Sequence, residues 1–196
     1  MTWADLIAAV RAQIDVSDDQ AYAWCLDRAR VLNGESGWLT TEQATTASVE
    51  EMPMPSDLVV LEAVTVSGYP YRRSTPSQMD IARASSSSRR IYAEIFPPTG
   101  DTARALRIWP NPPTGAEIVL RYLADVADDR GGSPPFPSDI QGIIADGAIA
   151  VGLARMDERF DSAGYFDAKF ADAIQRLKRR RHSHVGRGGT PIRLVT

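Results

Sequence analysis

Apolar positions along this chain change their period twice. At the start, Trp3, Leu6, Ile7, Val10 and Ile14 recur at spacings of three and four, which predicts a helix with one buried face. Thr2 with Asp5 three residues on resembles a capping box, with Asp where Glu is commoner. "VSDD" (Val16–Asp19) breaks the stripe and offers a second cap. A helix from about Asp18 to Asn33 then sets Tyr22, Cys25, Leu26, Ala29 and Leu32 on one face. Asn33-Gly34 reads as its stop. The chain therefore opens with an αα-hairpin.

From Gly37 the pattern turns to β-branched alternation and short runs: Val49, then Leu58-Val59-Val60, then Val64 and Val66. Pro53 and Pro55 confine the first of these strands to an edge, or end it. "SGYPYRRST" reads as a turn, with a strand continuing over Tyr71–Thr75. "TPSQMDIARA" reads as a short helical turn with Ser77 as its cap. "SSSSRR" (Ser85–Arg90) is polar and reads as a mobile loop. Three short strands follow at Ile91–Phe96, Ala105–Trp109 and Glu117–Leu123. Their linkers, "PPTGD" and "PNPPTGA", are too long for a two-residue turn, and their prolines stiffen them. The stretch Arg104–Asp125 thus predicts a stiff hairpin.

Helical spacing returns after the Pro/Gly-rich linker "DDRGGSPPFPSD". With Ser138 as cap, Ile140, Ile143, Ile144, Gly147, Ala148, Val151 and Ala154 form one stripe. Gly142, Gly147 and Gly152 cost about 1 kcal/mol each in helix propensity, and they point to close approach of another backbone, in this chain or a neighbour. A last helix from about Asp161 to Arg181 carries Phe166, Phe170, Ala173, Ile174 and Leu177 at spacings of three and four. The expected fold class is α+β. An N-terminal helical hairpin (residues 1–36) and C-terminal helices (128–181) complete one bundle. An antiparallel β-rich insert occupies 37–127, and an extended tail runs over 182–196.

Charge adds a polarity that the helix and strand pattern does not show. The 196 residues carry 22 basic and 25 acidic side chains, a net of −3. From Arg176 onward there are seven basic residues and no acid, which leaves a net of −10 over 1–175. Such a tail suits docking on a negative surface, a helix C-terminus favoured by its dipole, or phosphate contact. No apolar run is long enough to span a bilayer. The N-terminus has no basic segment before an apolar one, so it does not read as a signal peptide.

Candidate chemistry is sparse. Cys25 is alone, which excludes an internal disulfide, and it reads as a small buried apolar residue. His182 and His184 are the only histidines, with no Cys nearby, too few for a metal site and badly placed for a catalytic triad. The carboxylate pairs Asp18-Asp19, Glu50-Glu51 and Asp128-Asp129 read as caps and turns, because adjacent carboxylates point apart. "GRGG" lacks the Lys-Ser/Thr and the strand–helix setting of a phosphate loop. No catalytic, cofactor-binding or metal residues are expected. Trp38 and Trp109, at element ends, are the first candidates for contacts between subunits.

Taken in order, these features resemble the head-to-tail adaptor (connector, head-completion) proteins of tailed bacteriophages. "DQAYAWCLDRARVLNGESGWLT" looks like their second helix with its Trp. "MPMPSDLVVLEAVTVSGYPYRRST" is similar to their proline-acid entry into a strand. "LRIWPNPPTGAEIVLRYLAD" resembles their strand, P-x-P and strand ending in a Tyr, here Tyr122. "DIQGIIADGAIAVGLARMDERFDSAGYFDAKFADAIQRLKRR" looks like their closing helix pair. The "YRRST" segment and the "SSSSRR" loop depart from the pattern. The resemblance implies a non-enzymatic virion protein of the neck, assembled in the host cytoplasm without a membrane. It implies a ring, usually twelve-fold, between the portal and a tail or stopper protein, with DNA passing through the lumen without specific binding. Arg179, Arg180, Arg181, Arg187, Ile192 and Leu194, with Trp38 and Trp109, are the partner-facing residues expected. The alternatives are a nucleic-acid-binding accessory protein that uses the basic tail, or a tail-completion or tail-terminator protein.

Overall fold

In the computed structural model, Thr2 starts the first helix, α1 (Trp3–Arg11), by the reciprocal bonding its sequence predicts. The Thr2 hydroxyl accepts from Asp5 N–H, and the Asp5 carboxylate accepts from Thr2 N–H at 2.7 Å. A nine-residue helix is marginal alone. Here Trp3, Leu6, Ile7 and Val10 are buried along one face, and Ile14 is buried just beyond it. The structure describes residues 1–47, 51–96, 104–155 and 160–185. Among them it is α+β, with five helices and seven strands, and it divides into two units. One comprises Met1–Leu39 and the chain from Asp125 through the last helix; the other is Thr40–Ala124.

In the helical unit, α2 (Asp18–Ser36) is capped by Ser17 and buries the expected face. It does not stop at Asn33-Gly34. Gly34 stays helical, and the helix ends at Gly37, which takes the left-handed conformation (φ 63°). Asn33 has another task. Its buried side chain accepts from Leu39 N–H at 2.9 Å, while its carbonyl accepts from Gly37 N–H at 2.7 Å. One residue thus pins the turn that leads out of the helix, and Leu39 joins the helical core.

The segment expected to be a linker before the next helix is folded onto this unit. Gly132 carbonyl accepts from Trp3 N–H, and Phe136 is buried. The buried Gln141 amide donates to Pro134 and Phe136 carbonyls at 3.0 and 2.8 Å. Ser138 is the first residue of α4 (Ser138–Arg155) rather than its cap; Pro137 carbonyl receives the first helical N–H groups. α4 is buried nearly all round, on more than the expected stripe: Ala145, Ile149, Ala150, Gly152 and Leu153 are buried too, while Ala154 is exposed. The last helix, α5 (Phe160–Val185), runs four residues past the expected end, through His182–Val185.

The helix glycines meet side chains rather than backbone. A Cβ on Gly147 would lie 2.6 Å from the Phe170 ring, and one on Gly152 would lie 2.7 Å from the Trp24 ring and against Ile14. Gly142 has room; its Cβ would meet nothing closer than the Met1 sulfur at 3.6 Å.

The β unit holds β1 (Thr40–Thr46), β2 (Glu51–Pro53), β3 (Leu58–Val66), β4 (Tyr69–Arg73), helix α3 (Pro76–Ala84), β5 (Ile91–Ile95), β6 (Ala105–Trp109) and β7 (Glu117–Ala124). They form one curled sheet in the order β1-β7-β3-β4-β5-β6-β2. β1 is polar and largely exposed, so no apolar period announces it. β2, with Pro53, lies at an edge as the missing N–H requires. In β3, register shifts between Leu58 and Val60 and between Leu61 and Ala63 each insert a residue. The buried residues are therefore spaced by three, three and two: Leu58, Leu61, Val64, Val66. Ser67 and Gly68, both at positive φ, make the tight turn into β4.

Arg104–Asp125 is not a hairpin. β6 pairs with β5 and β2, and β7 pairs with β1 and β3. The proline-rich segment between them crosses from one part of the sheet to another. It is pinned at Ala47, whose N–H donates to Ala116 carbonyl and whose carbonyl accepts from Gly115 N–H, both at 2.9 Å. Leu106 and Ile108 of β6 share a core with Ile118, Leu120 and Tyr122 of β7. The two strands meet by packing and not by pairing.

Gly147→Ala is expected to destabilise the protein by about 1–3 kcal/mol through overpacking on Phe170. Gly142→Ala is expected to stabilise it by roughly 0.5–1 kcal/mol. Urea unfolding of the two variants reads the difference, and equal shifts would refute the packing assignment. Asn33→Ala strands the Leu39 N–H and is expected to cost about 1–3 kcal/mol in the same assay.

Candidate interaction surfaces

The helical unit consumes much of the charge that the sequence places at its C-terminal end. Lys178 Nζ lies 3.1 Å from the Glu35 carboxylate of α2. Arg180 holds Asp139, at the start of α4, through two bonds of 3.1 and 2.6 Å. Arg176 pairs with Asp172 one turn back. The Arg181 guanidinium sits directly over the Gly37 backbone, so a Cβ at that position would collide with it. These pairs are about half-exposed, so solvent screens them and they add little to stability. Their effect is on availability: α5 is laid along α2 and α4 with its cations turned to this chain's own acids.

Of the expected partner-facing residues, Arg179 is exposed, while Arg180 and Arg181 are engaged within the helical unit. Arg187, Ile192 and Leu194 lie outside the described residues. Trp38 is half-buried against the helical core. Trp109, at the end of β6, donates its indole N–H to Ser87 carbonyl at 2.8 Å, and the Arg83 guanidinium lies 5.8 Å over its ring.

That indole bond helps to fix the serine-rich segment, which is a bonded helix end in this structure. The cap of α3 is Thr75 with Gln78, with Pro76 in the first turn, not Ser77. At the other end Ser85 hydroxyl donates to Ile81 and Ala82 carbonyls, and Ser87 N–H to Ala82 carbonyl. Between α3 and the β4–β5 pair runs an open groove lined by Arg72, Arg73, Arg89 and Arg90 with serines around them. No spacing in the sequence separates this cluster from ordinary surface arginines. The parallel β4–β5 pairing, Arg72 with Ile91 and Arg73 with Tyr92, assembles it.

Cys25, Tyr22 and Tyr122 are held in their protonated forms by their surroundings. Cys25 is buried, and burial pushes its thiol up to about 12. Burial and a 2.6 Å bond donated to Asp128 push the Tyr22 hydroxyl up to about 12. Burial and the Asp57 carboxylate do the same for Tyr122. Both tyrosines therefore act as fixed donors. Among the described residues no three His, Cys, Asp or Glu side chains converge as a metal site, and no helix is long and apolar enough to cross a membrane.

The sequence model of a family described as SU10 adaptor protein matches residues 1–193 of the chain. No curated protein matches it.

The Arg180 bond holds the Asp139 carboxyl below its ordinary 3.8. A depressed carboxyl contributes stability that is present above the unfolded value and lost as pH falls through the folded one. Arg180→Gln is expected to move the Asp139 midpoint up toward 3.8 in a side-chain NMR titration. An unmoved midpoint would show that α5 is not pinned there.

Proposed function

This chain belongs to the SU10 adaptor protein family, a family of phage head-to-tail adaptors, and on that footing we propose that it is one subunit of a neck ring. The ring sits under the portal, continues the DNA channel towards the tail and meets a tail or stopper protein at its other end. The family is structural rather than enzymatic, and its adaptors associate with portal and tail components. The observation that carries the reading is the span of the match, which covers both units and reaches into the C-terminal segment.

The geometry supports a division of labour. The helical unit has a closed apolar core and keeps its capping and pairing groups largely satisfied internally, as suits a subunit that must hold its shape beside its neighbours. The β unit exposes Val59, Val60, Tyr69 and Ile81, apolar groups that a neighbouring or partner subunit can cover. We assign the portal contact to the chain beyond Val185, with Arg187, Ile192 and Leu194, and with Arg179 on the last helix beside it. Twelve copies, the usual family pattern, would close the ring through head-to-tail contacts. DNA crosses the lumen without sequence-specific contact, and the assembled protein is a virion component.

Pairing of Lys178 and Arg180 with this chain's own acids removes cations that the rival reading, a nucleic-acid-binding tail, would need. A chain ending at Val185 is expected to keep its thermal unfolding midpoint and lose capture by the portal protein in a pull-down. Undiminished capture would place the contact elsewhere. Arg179→Glu is expected to weaken capture at low salt and have little effect at high salt, since an exposed charge acts over a screened distance.

A further inference from the structure

Among the described residues, a cluster of cations available to a polyanion lies in the β unit. Between Gly68 and Tyr92 there are five arginines, no lysine and one carboxylate, Asp80. Four of the arginines line the groove between α3 and the β4–β5 pair. Arg72 and Arg73 come from the end of β4, and Arg89 and Arg90 from the entry to β5. Arg72 N–H donates to Arg90 carbonyl at 3.0 Å and holds the two pairs side by side. Arg73 is paired with Glu94 at 2.6 Å. Among the described residues, Arg72, Arg89 and Arg90 have no carboxylate partner, and all three are exposed. Arg90 lies 4.2 Å over the ring of Tyr69, which is 56% exposed. Like charges lining one groove favour an anion between them.

We propose that this groove binds the phosphodiester backbone of nucleic acid without reading its sequence. Guanidinium forks match phosphate oxygens in pairs, and they are more weakly hydrated than ammonium groups. Serine hydroxyls such as that of Ser88 are common companions in backbone contacts. The exposed Tyr69 ring, already carrying Arg90, adds a stacking surface at the groove's edge. The groove walls mix polar and apolar surface, with Pro70, Ile81 and Ile91 among the lining, and it is the guanidinium groups without a carboxylate partner that favour a phosphodiester. This site shares no residue with the C-terminal helix, and the inference does not rest on the adaptor reading.

The test is fluorescence anisotropy of the full chain with a labelled duplex of mixed sequence, about 20 base pairs long, between about 50 and 200 mM salt. Three free arginines predict weak binding whose log–log salt slope is about −3. The triple variant Arg72→Glu, Arg89→Glu and Arg90→Glu is expected to lose at least about tenfold in affinity and to flatten the slope. The milder pair Arg72→Gln and Arg89→Gln should lose part of both, and it carries the test if circular dichroism shows the triple variant unfolded. Arg179→Glu should change neither. No binding at low salt, or equal binding by the groove variants, overturns the proposal. Self-association that the groove variants abolish, without duplex binding by the parent chain, would instead assign the groove to a second copy.

Discussion

Everything in this fold depends on β1 and β7 pairing with each other. The helical unit is built from the two ends of the sequence, and its core cannot close unless the intervening chain returns to where it left. The antiparallel register from Thr40↔Leu123 to Thr46↔Glu117 brings it back. The chain departs after Leu39 and resumes at Asp125 from neighbouring strand ends. Closing so long an excursion carries an entropic cost that grows only slowly with its length, and the sheet offsets it with a core of its own. Both exits are then fixed within the helical unit: Asn33 holds Leu39 N–H, and Arg30 grips Asp125 through two bonds of 3.1 Å.

Within the helical unit α2 and α4 each meet all three of the other helices, and α4 packs most extensively, above all against α5. A helix buried on nearly every side cannot use large side chains everywhere. Gly147 and Gly152 yield space to Phe170, Trp24 and Ile14, and the loss in helix propensity is offset by aromatic burial. Trp3 adds an edge-to-face contact with Tyr22, 5.5 Å between ring centres. Tyr22 in turn reaches Asp128 in the segment between the two units' shared boundary and α4, so the N-terminal helices and the returning chain are tied by apolar packing and by a directed bond.

The charge map changes character once the chain is folded. In sequence, an acidic body precedes a basic end. In space, Glu35 and Asp139 meet Lys178 and Arg180, and the dipole of α5 favours cations near its end. The cations with no carboxylate partner among the described residues include Arg72, Arg89 and Arg90, which linear charge density does not single out. Sequence reasoning found the basic run because adjacency reveals it. It missed the groove because a parallel strand pair and a helix end bring its arginines together.

Local chemistry alone settled much of this protein. The Thr2–Asp5 cap, the stripes of α1, α2 and α5, the edge position of the Pro53 strand and the change from helix to strand and back follow from side-chain period and backbone constraint, which act over a few residues. Other features needed the tertiary structure. Gly34 continues a helix because Asn33 is engaged with Leu39. β1 forms without an apolar stripe because β7 supplies its hydrogen-bond partners. β3 spaces its core residues by three because its pairing is bulged. The stretch Arg104–Asp125 looks like a hairpin in sequence, since two apolar runs flank prolines and a glycine. It is a crossover because β5 and β2 on one side, and β1 and β3 on the other, are the strands whose edges and faces each run completes. Which strand pairs with which is a property of the whole sheet, and no period within one segment encodes it.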